Sequence, residues 1–281
     1  MKVLVTGANG QLGYDVLKRL EYEGIEYLGA DRELLDITNE EHVKRIIGDY
    51  YPDVVIHCAA YTWVDRAEDE KDLCYSVNVL GTKYVAEACK NINAKMVYIS
   101  TDYVFDGVGE TPFGITHKPN PINYYGETKY KGELEVLNIL KNYFIVRISW
   151  VFGNHGNNFV KTMLKLAKER DEISVVVDQF GSPTYTYDLA ESLVEMIQSD
   201  KFGIYHVTNE GFCNWYEFAC EIFKQAGLDI IVNPIKTEEY PTKAKRPKNS
   251  RLNKTQNIGS EITHLRSWQE ALKNMINNEM R

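Results

Sequence analysis

The chain opens on a short apolar, β-branched run, KVLVT (2–6), followed by the glycine-rich GANGQLG and then DVLKRLEYEG, where Val16, Leu17 and Leu20 fall at helical spacing ahead of Gly24. This pattern predicts strand, turn and helix. The alternation continues through IEYLGAD (25–31), the helical NEEHVKRIIGDY (39–50), VVIHCAA (54–60), the helical SVNVLGTKYVAEACKN (76–91) and KMVYIS (95–100). Strands separated by helices predict an α/β fold with a doubly wound parallel sheet of Rossmann type. FIVRISWVF (144–152) reads as one further buried strand. Beyond about residue 150 the pattern loosens, and VVVDQFGSPTYTYDLAESLVEMI (175–197) reads as a return to the sheet. The expected division is a sheet domain over 1–150 with a return segment at about 172–199. Residues 151–171 and about 200–281 are left to a smaller C-terminal lobe.

Composition narrows the class without changing this layout. With 44% hydrophobic and 26% charged residues in 281, the chain has ordinary globular statistics. Its apolar start is too short for a signal peptide and it has no apolar stretch of membrane-spanning length, so a cytoplasmic protein without membrane contact is expected. Five cysteines without C-x-x-C and six histidines without ligand spacing argue against disulfides and structural zinc, and no metal is assigned. A formal charge of −8 disfavours nucleic acid as a partner. One segment runs the other way: KAKRPKNSR (243–251) carries five cations and no acid, as either a solvated loop or a local anion site. Nothing in the sequence fixes the oligomeric state, and a homodimer is left open.

Gly7, Gly10 and Gly13 form a variant of the dinucleotide fingerprint. Following a strand and opening a helix, such glycines permit a tight turn and close approach of a pyrophosphate to a helix N-terminus. The sheet domain is therefore expected to bind a dinucleotide. The second strand ends in Asp31, suited to a ribose hydroxyl, but Arg32 beside it suits the extra phosphate of NADP; NADH or NADPH is expected, with a lean to NADH. A second pattern is Tyr125 and Lys129 in NYYGETKYKGE, which share a helix face at i and i+4. The spacing alone is weak, since 19 tyrosines and 22 lysines predict about 1.5 such pairs by chance. Tyr14 and Lys18 form another. Position separates them: Tyr14 belongs to the glycine-loop helix, whereas Tyr125 follows STDYVFDG, where Thr101 ends a strand. Thr101, Tyr125 and Lys129 make a trio suited to carbonyl reduction, the ammonium favouring phenolate and easing proton donation.

The chain resembles the extended short-chain dehydrogenase/reductases and, within them, the dTDP-4-dehydrorhamnose reductase family. The resemblance runs nearly end to end, through VTGANGQLG (5–13), LDIT (35–38), HCAAYTWVDRAE (57–68), VN (77–78), STDYVFDG (100–107), YGETK (125–129), R-x-SWVFG (147–153), NF (158–159), QFGSPTY (179–185), RPKNSRL (246–252) and SWQEAL (267–272). It implies a cofactor held by Asn9, Gln11 and Leu12 of the glycine loop, by Leu35, Asp36 and Ile37 near adenine, and by Cys58, Ala59, Ala60 and Tyr61 along its length. Asn78 is implied close by. Thr101, Asp102, Trp150, Arg246 and Ser250 are implied around a nucleotide-sugar substrate, in a C-terminal substrate-binding lobe. The implied reaction is reduction of the 4-keto group of dTDP-4-dehydro-L-rhamnose by NADH or NADPH to dTDP-L-rhamnose. Tyr125 would protonate the oxygen, Thr101 would hydrogen-bond it, and Lys129 would hold the nicotinamide ribose and lower the tyrosine pKa. Related 4,6-dehydratases carry Thr-Asp-Glu where this chain has Thr101-Asp102-Tyr103, and without that glutamate elimination lacks an acid/base group. The alternatives are a reductase or epimerase of another nucleotide sugar, and a non-catalytic nucleotide-binding regulatory subunit.

Overall fold

The glycine-rich opening forms strand, turn and helix in the computed structural model, which describes residues 1–255 and 264–279. β1 (Lys2–Thr6) leads into α1 (Gln11–Tyr22), followed by β2 (Glu26–Ala30), α2 (Glu40–Tyr50) and β3 (Val54–His57). A short α3 (Lys71–Tyr75) runs through a π-helical turn (Ser76–Gly81) into α4 (Thr82–Ile92), and β4 (Lys95–Thr101), α5 (Tyr124–Ile139) and β5 (Tyr143–Ile148) complete this half. The remainder is shorter-jointed: β6 (Val151–Phe152), α6 (Phe159–Leu166), β7 (Glu172–Val176), β8 (Phe180–Gly181), β9 (Thr184–Tyr185), α7 (Thr186–Met196), β10 (Gly203–His206), β11 (Cys213–Asn214), α8 (Trp215–Ala226), β12 (Ile231–Ile235) and α9 (Trp268–Glu279).

Six strands form one parallel sheet in the order β10-β5-β4-β3-β1-β2. The order reverses at β1, between β2 and β3, and a crevice opens there at the carboxyl ends of the strands. Both faces are covered, which is why the strands are continuously apolar rather than alternating. Val16 and Leu20 of α1 and Leu189 and Leu193 of α7 pack with Val5, Ile56 and Val146 on one face. Val43, Ile47, Val85 and Val136 pack with Leu4, Val55 and Ile145 on the other.

Two expectations need correction. FIVRISWVF is not one strand: β5 ends at Ile148, and Trp150 takes a left-handed φ of 48° that turns the chain out of the sheet. Val151 and Phe152 then pair with Thr184 and Tyr185 instead. The apolar run continues across the break because Phe152 enters a second core, with Tyr185, Phe218 and Trp268. The return segment is also split. β7 pairs with β12, not with the main sheet, while α7 does come back to pack on α1. The sixth strand is β10, paired with β5 and drawn from residues assigned to the lobe.

Candidate active site

The crevice is a cavity of about 800 Å³, and its walls come from the ends of β1, β3, β4 and β5. At the β1 end, Gly7 has φ +67°, and a Cβ on Gly13 would lie 2.2 Å from the Gly7 carbonyl oxygen. Only glycines let the turn fold tightly onto the start of α1. The backbone there is pinned from below: the Thr6 hydroxyl contacts His57 Nδ1 at 2.7 Å and accepts the Ala59 N–H at 3.2 Å. Burial lowers the His57 pKa to about 3, so this imidazole is a neutral strut. The segment Gly153–Asn158 straps the loop from above, with His155 stacked on Tyr14 at 4.2 Å and its Nε2 3.0 Å from the Asn9 carbonyl. Asn158 donates to Gln11 Oε1 at 3.0 Å.

Along this wall lie Asn9, Gly10, Gln11, Leu12, Leu35, Ile37, Cys58, Ala59, Ala60 and Tyr61, all placed there by the sequence reading. Asp31 and Arg32 line it too, but Asp31 is already engaged. Its Oδ2 accepts from Asn9 Nδ2 at 2.9 Å, and its Oδ1 accepts the N–H groups of Glu33 and Leu34 at 3.1 and 3.0 Å. Asp36 is held below the usual carboxylate range, chiefly by the Thr38 hydroxyl at 2.7 Å. The Cys58 thiol is pushed up to about 12 by burial and is inert.

At the β4 end the trio comes together. Thr101 closes the strand, its hydroxyl donating to Asp102 Oδ1 at 3.0 Å and standing close to the Tyr125 hydroxyl. Tyr125 stands in the first turn of α5, capped by Asn123, whose side chain accepts the Gly126 N–H at 2.8 Å. Lys129 is one turn further, buried, with Nζ 4.1 Å from the centre of the Tyr98 ring. Burial lowers its pKa to about 7, Glu133 opposing. Burial and then the Asp102 charge raise the Tyr125 pKa, so the phenol keeps its proton across neutral pH. Asp102 is itself raised to about 6 by burial, with the nearby Ser250 and Thr101 hydroxyls pulling the other way. Its Oδ2 is buried without a partner.

Three expected residues do not line the cavity. Asn78 stands behind the wall, accepting the Tyr61 N–H at 2.8 Å and donating to the Tyr61 carbonyl and the Thr128 hydroxyl at 3.1 Å each. It fixes the wall's shape. Ser250 stands close to Asp102 from outside the cavity. Arg246 is paired through Nη2 with Asp65 at 2.5 Å, while its Nη1 is buried without a partner. The basic loop nevertheless reaches the site, since Asn123 Nδ2 donates to the Lys245 carbonyl at 2.8 Å.

Trp150 does line the cavity, stacked on Trp215 at 3.6 Å and 10°. Trp215, Phe159 and Trp63 are cavity residues that the sequence reading missed. Asn214 and Glu217 form a capping box that marks the start of α8, yet nothing local tells that Trp215 will meet Trp150. Trp63 is 60% exposed and lies edge-on to Tyr61. Among the described residues no group of three or more His, Cys, Asp or Glu side chains is placed to hold a metal ion, and no helix is long and apolar enough to cross a membrane.

The family model described as RmlD substrate binding domain matches residues 1–281. The chain is 44% identical over 287 residues to a dTDP-4-dehydrorhamnose reductase of Aggregatibacter actinomycetemcomitans, covering 98% of each. It is 42% identical to the spore coat polysaccharide biosynthesis protein SpsK of Bacillus subtilis, covering 98% of this chain and 96% of that one. Among solved structures it is similar to a dTDP-4-dehydrorhamnose reductase from Bacillus anthracis in complex with NADP, with a TM-score of 0.96, 46% identity and 99% of each chain covered.

Proposed function

The chain belongs to the RmlD substrate binding domain family, and from that premise we propose that it is an NAD(P)H-dependent nucleotide-sugar 4-ketoreductase converting dTDP-4-dehydro-L-rhamnose to dTDP-L-rhamnose. The observation that carries the reading is that the Thr101 and Tyr125 hydroxyls stand side by side in the same cavity as the glycine turn, with Lys129 one helical turn behind. A nicotinamide bound there supplies the hydride. The chain's own residues do the rest. The Thr101 and Tyr125 hydroxyls converge where a carbonyl oxygen would sit, and they oppose charge developing on it. Tyr125, kept protonated by burial, donates its proton to that oxygen. The unpartnered Oδ2 of Asp102 accepts from a neighbouring sugar hydroxyl. Trp150, braced by Trp215, closes the sugar from the lobe side. The test is loss of nicotinamide absorbance on adding a 4-keto deoxysugar nucleotide. Turnover confined to another keto-sugar nucleotide would favour the alternative substrate. Cofactor binding without turnover on any of them would favour a regulatory subunit.

Arg246 supports the diphosphate. Its buried, unpartnered Nη1 is a donor without an acceptor, a costly arrangement that a phosphate oxygen relieves. Arg246→Ala should raise KM for the nucleotide sugar by about 10- to 100-fold, as for a lost charge-assisted bond. Cofactor affinity should stay unchanged. An unaltered KM would remove Arg246 from the substrate site.

For the cofactor we propose use of both NADH and NADPH. The lean to NADH is weakened because both Asp31 oxygens already accept hydrogen bonds within the chain, while Arg32 stands beside them on the cavity wall. The relative from Bacillus anthracis holds NADP. Asp31→Ala should move the ratio of kcat/KM values toward NADPH, and Arg32→Ala toward NADH, each by more than about twofold. If neither moves the ratio, these side chains do not read the ribose.

A further inference from the structure

We propose that Glu133 is a positioning residue that keeps Lys129 charged from inside the protein, an inference that rests on the reading of Tyr125 and Lys129 as the working pair. Lys129 is 3% exposed, and so deep an ammonium is disfavoured unless an anion faces it. The groups around it offer few. From α3 comes Cys74, from the end of β3 come His57 and Cys58, from β4 comes Tyr98, and from its own helix come Tyr125 and Glu133. Burial holds both thiols and both phenols in their protonated, neutral forms at neutral pH, and it leaves His57 uncharged. Glu133 is the anion of the set.

Its contacts are those of a buried ion pair. Glu133 is fully buried, four residues on from Lys129 and on the same helix face. It accepts from Arg147 Nε at 2.8 Å and Nη2 at 2.7 Å, and from the Ser100 hydroxyl at 2.5 Å. Three donors meet on one carboxylate, two of them from a guanidinium in a bidentate ion pair. Arg147 reaches on toward the Ile115 carbonyl and lies over the Phe105 ring, so it anchors Glu133 from the side of β5 while Lys129 faces the cavity. A buried Glu–Arg pair adds little stability over an apolar pair of the same volume. The role assigned to it here is to place a permanent negative charge one helical turn from the lysine.

The test is the pH dependence of kcat/KM. A lysine contributes as ammonium below its pKa and stops contributing as pH rises through it, so a loss of Lys129 charge appears as the alkaline limb. Glu133→Gln should move that limb to lower pH by about one unit or more, and Lys129→Met should abolish it. Because Glu133→Gln leaves Arg147 buried and unpaired, the double variant Glu133→Gln/Arg147→Met, which removes both charges, should fold and move the limb in the same direction by less, since the lost cation offsets part of the lost anion. Glu133→Asp should bring the limb back toward wild type. A purely structural Glu133 would give a lower rate with the limb unmoved in the folded double variant, and that result overturns the proposal. The same displacement should appear without turnover, as a 15N titration of the Lys129 side chain. An inactive wild type counts against the reaction, whereas an unmoved titration counts against Glu133.

Discussion

Tyr125→Phe should lower turnover by about 10² to 10⁴, the range for a lost general acid, with cofactor affinity largely kept. The phenol stands beside Thr101 and holds its proton because burial and the Asp102 carboxylate both disfavour phenolate. Phenylalanine keeps the ring, and with it the edge contact to Tyr103 at 5.8 Å, so the loss should fall on proton delivery rather than on packing. Tyr14→Phe is the matched control. That ring stacks on His155 beside the glycine loop, and Lys18 pairs with Glu21, so the second Tyr-x-x-x-Lys pair shares no site with the first. Tyr14→Phe should leave turnover within about twofold of wild type. Comparable losses in both variants, or in neither, would remove Tyr125 from its assigned role.

Gly126→Ala should cost about 10²-fold or more in kcat/KM, although it alters no group that touches substrate. A Cβ at that position would lie 2.1 Å from the Tyr103 carbonyl oxygen. That neighbour is backbone, so the first turn of α5 must move and carry Tyr125 with it. Overpacking of this kind costs about 1–3 kcal/mol, so the melting temperature should fall as well. Gly48 in α2 is the contrast, since a Cβ there meets nothing within 4 Å. Gly48→Ala should raise stability by about 0.4–1 kcal/mol with activity unchanged. Wild-type kinetics in Gly126→Ala would mean that this close approach does not set the tyrosine's position.

The legible parts of the fold are those whose physics is local. β1, β3 and β4 are short runs buried on both faces, and the turn after β1 needs Gly7 and Gly13 within seven residues of one another, so pattern and motif agree. The helix α5 is different, because its buried face includes Gly126, Lys129, Gly132, Glu133 and Val136. Hydrophobic periodicity cannot find a face made of glycines and charges. Only the Tyr-x-x-x-Lys motif marked it, and the partners of that face, Tyr103, Tyr98 and Arg147, lie elsewhere in the chain. The break at Ile148 was hidden because Val151 still packs on the sheet core while Phe152 enters another. β10 was missed because four residues at a sheet edge resemble a loop. Trp215 was missed because its partner Trp150 is a long-range contact across the lobe.

The central claim, reduction at the sugar 4-keto carbon with Tyr125 as proton donor, is tested most directly by isotope transfer. The protein should be incubated with dTDP-4-dehydro-L-rhamnose and NADPH carrying deuterium at the transferable position, and the product sugar read by NMR. The account predicts deuterium at C4 of dTDP-L-rhamnose, appearing in step with loss of nicotinamide absorbance and slowed by about 10² or more in Tyr125→Phe. Deuterium at another carbon, or no product while the cofactor remains bound and reduced, would contradict it.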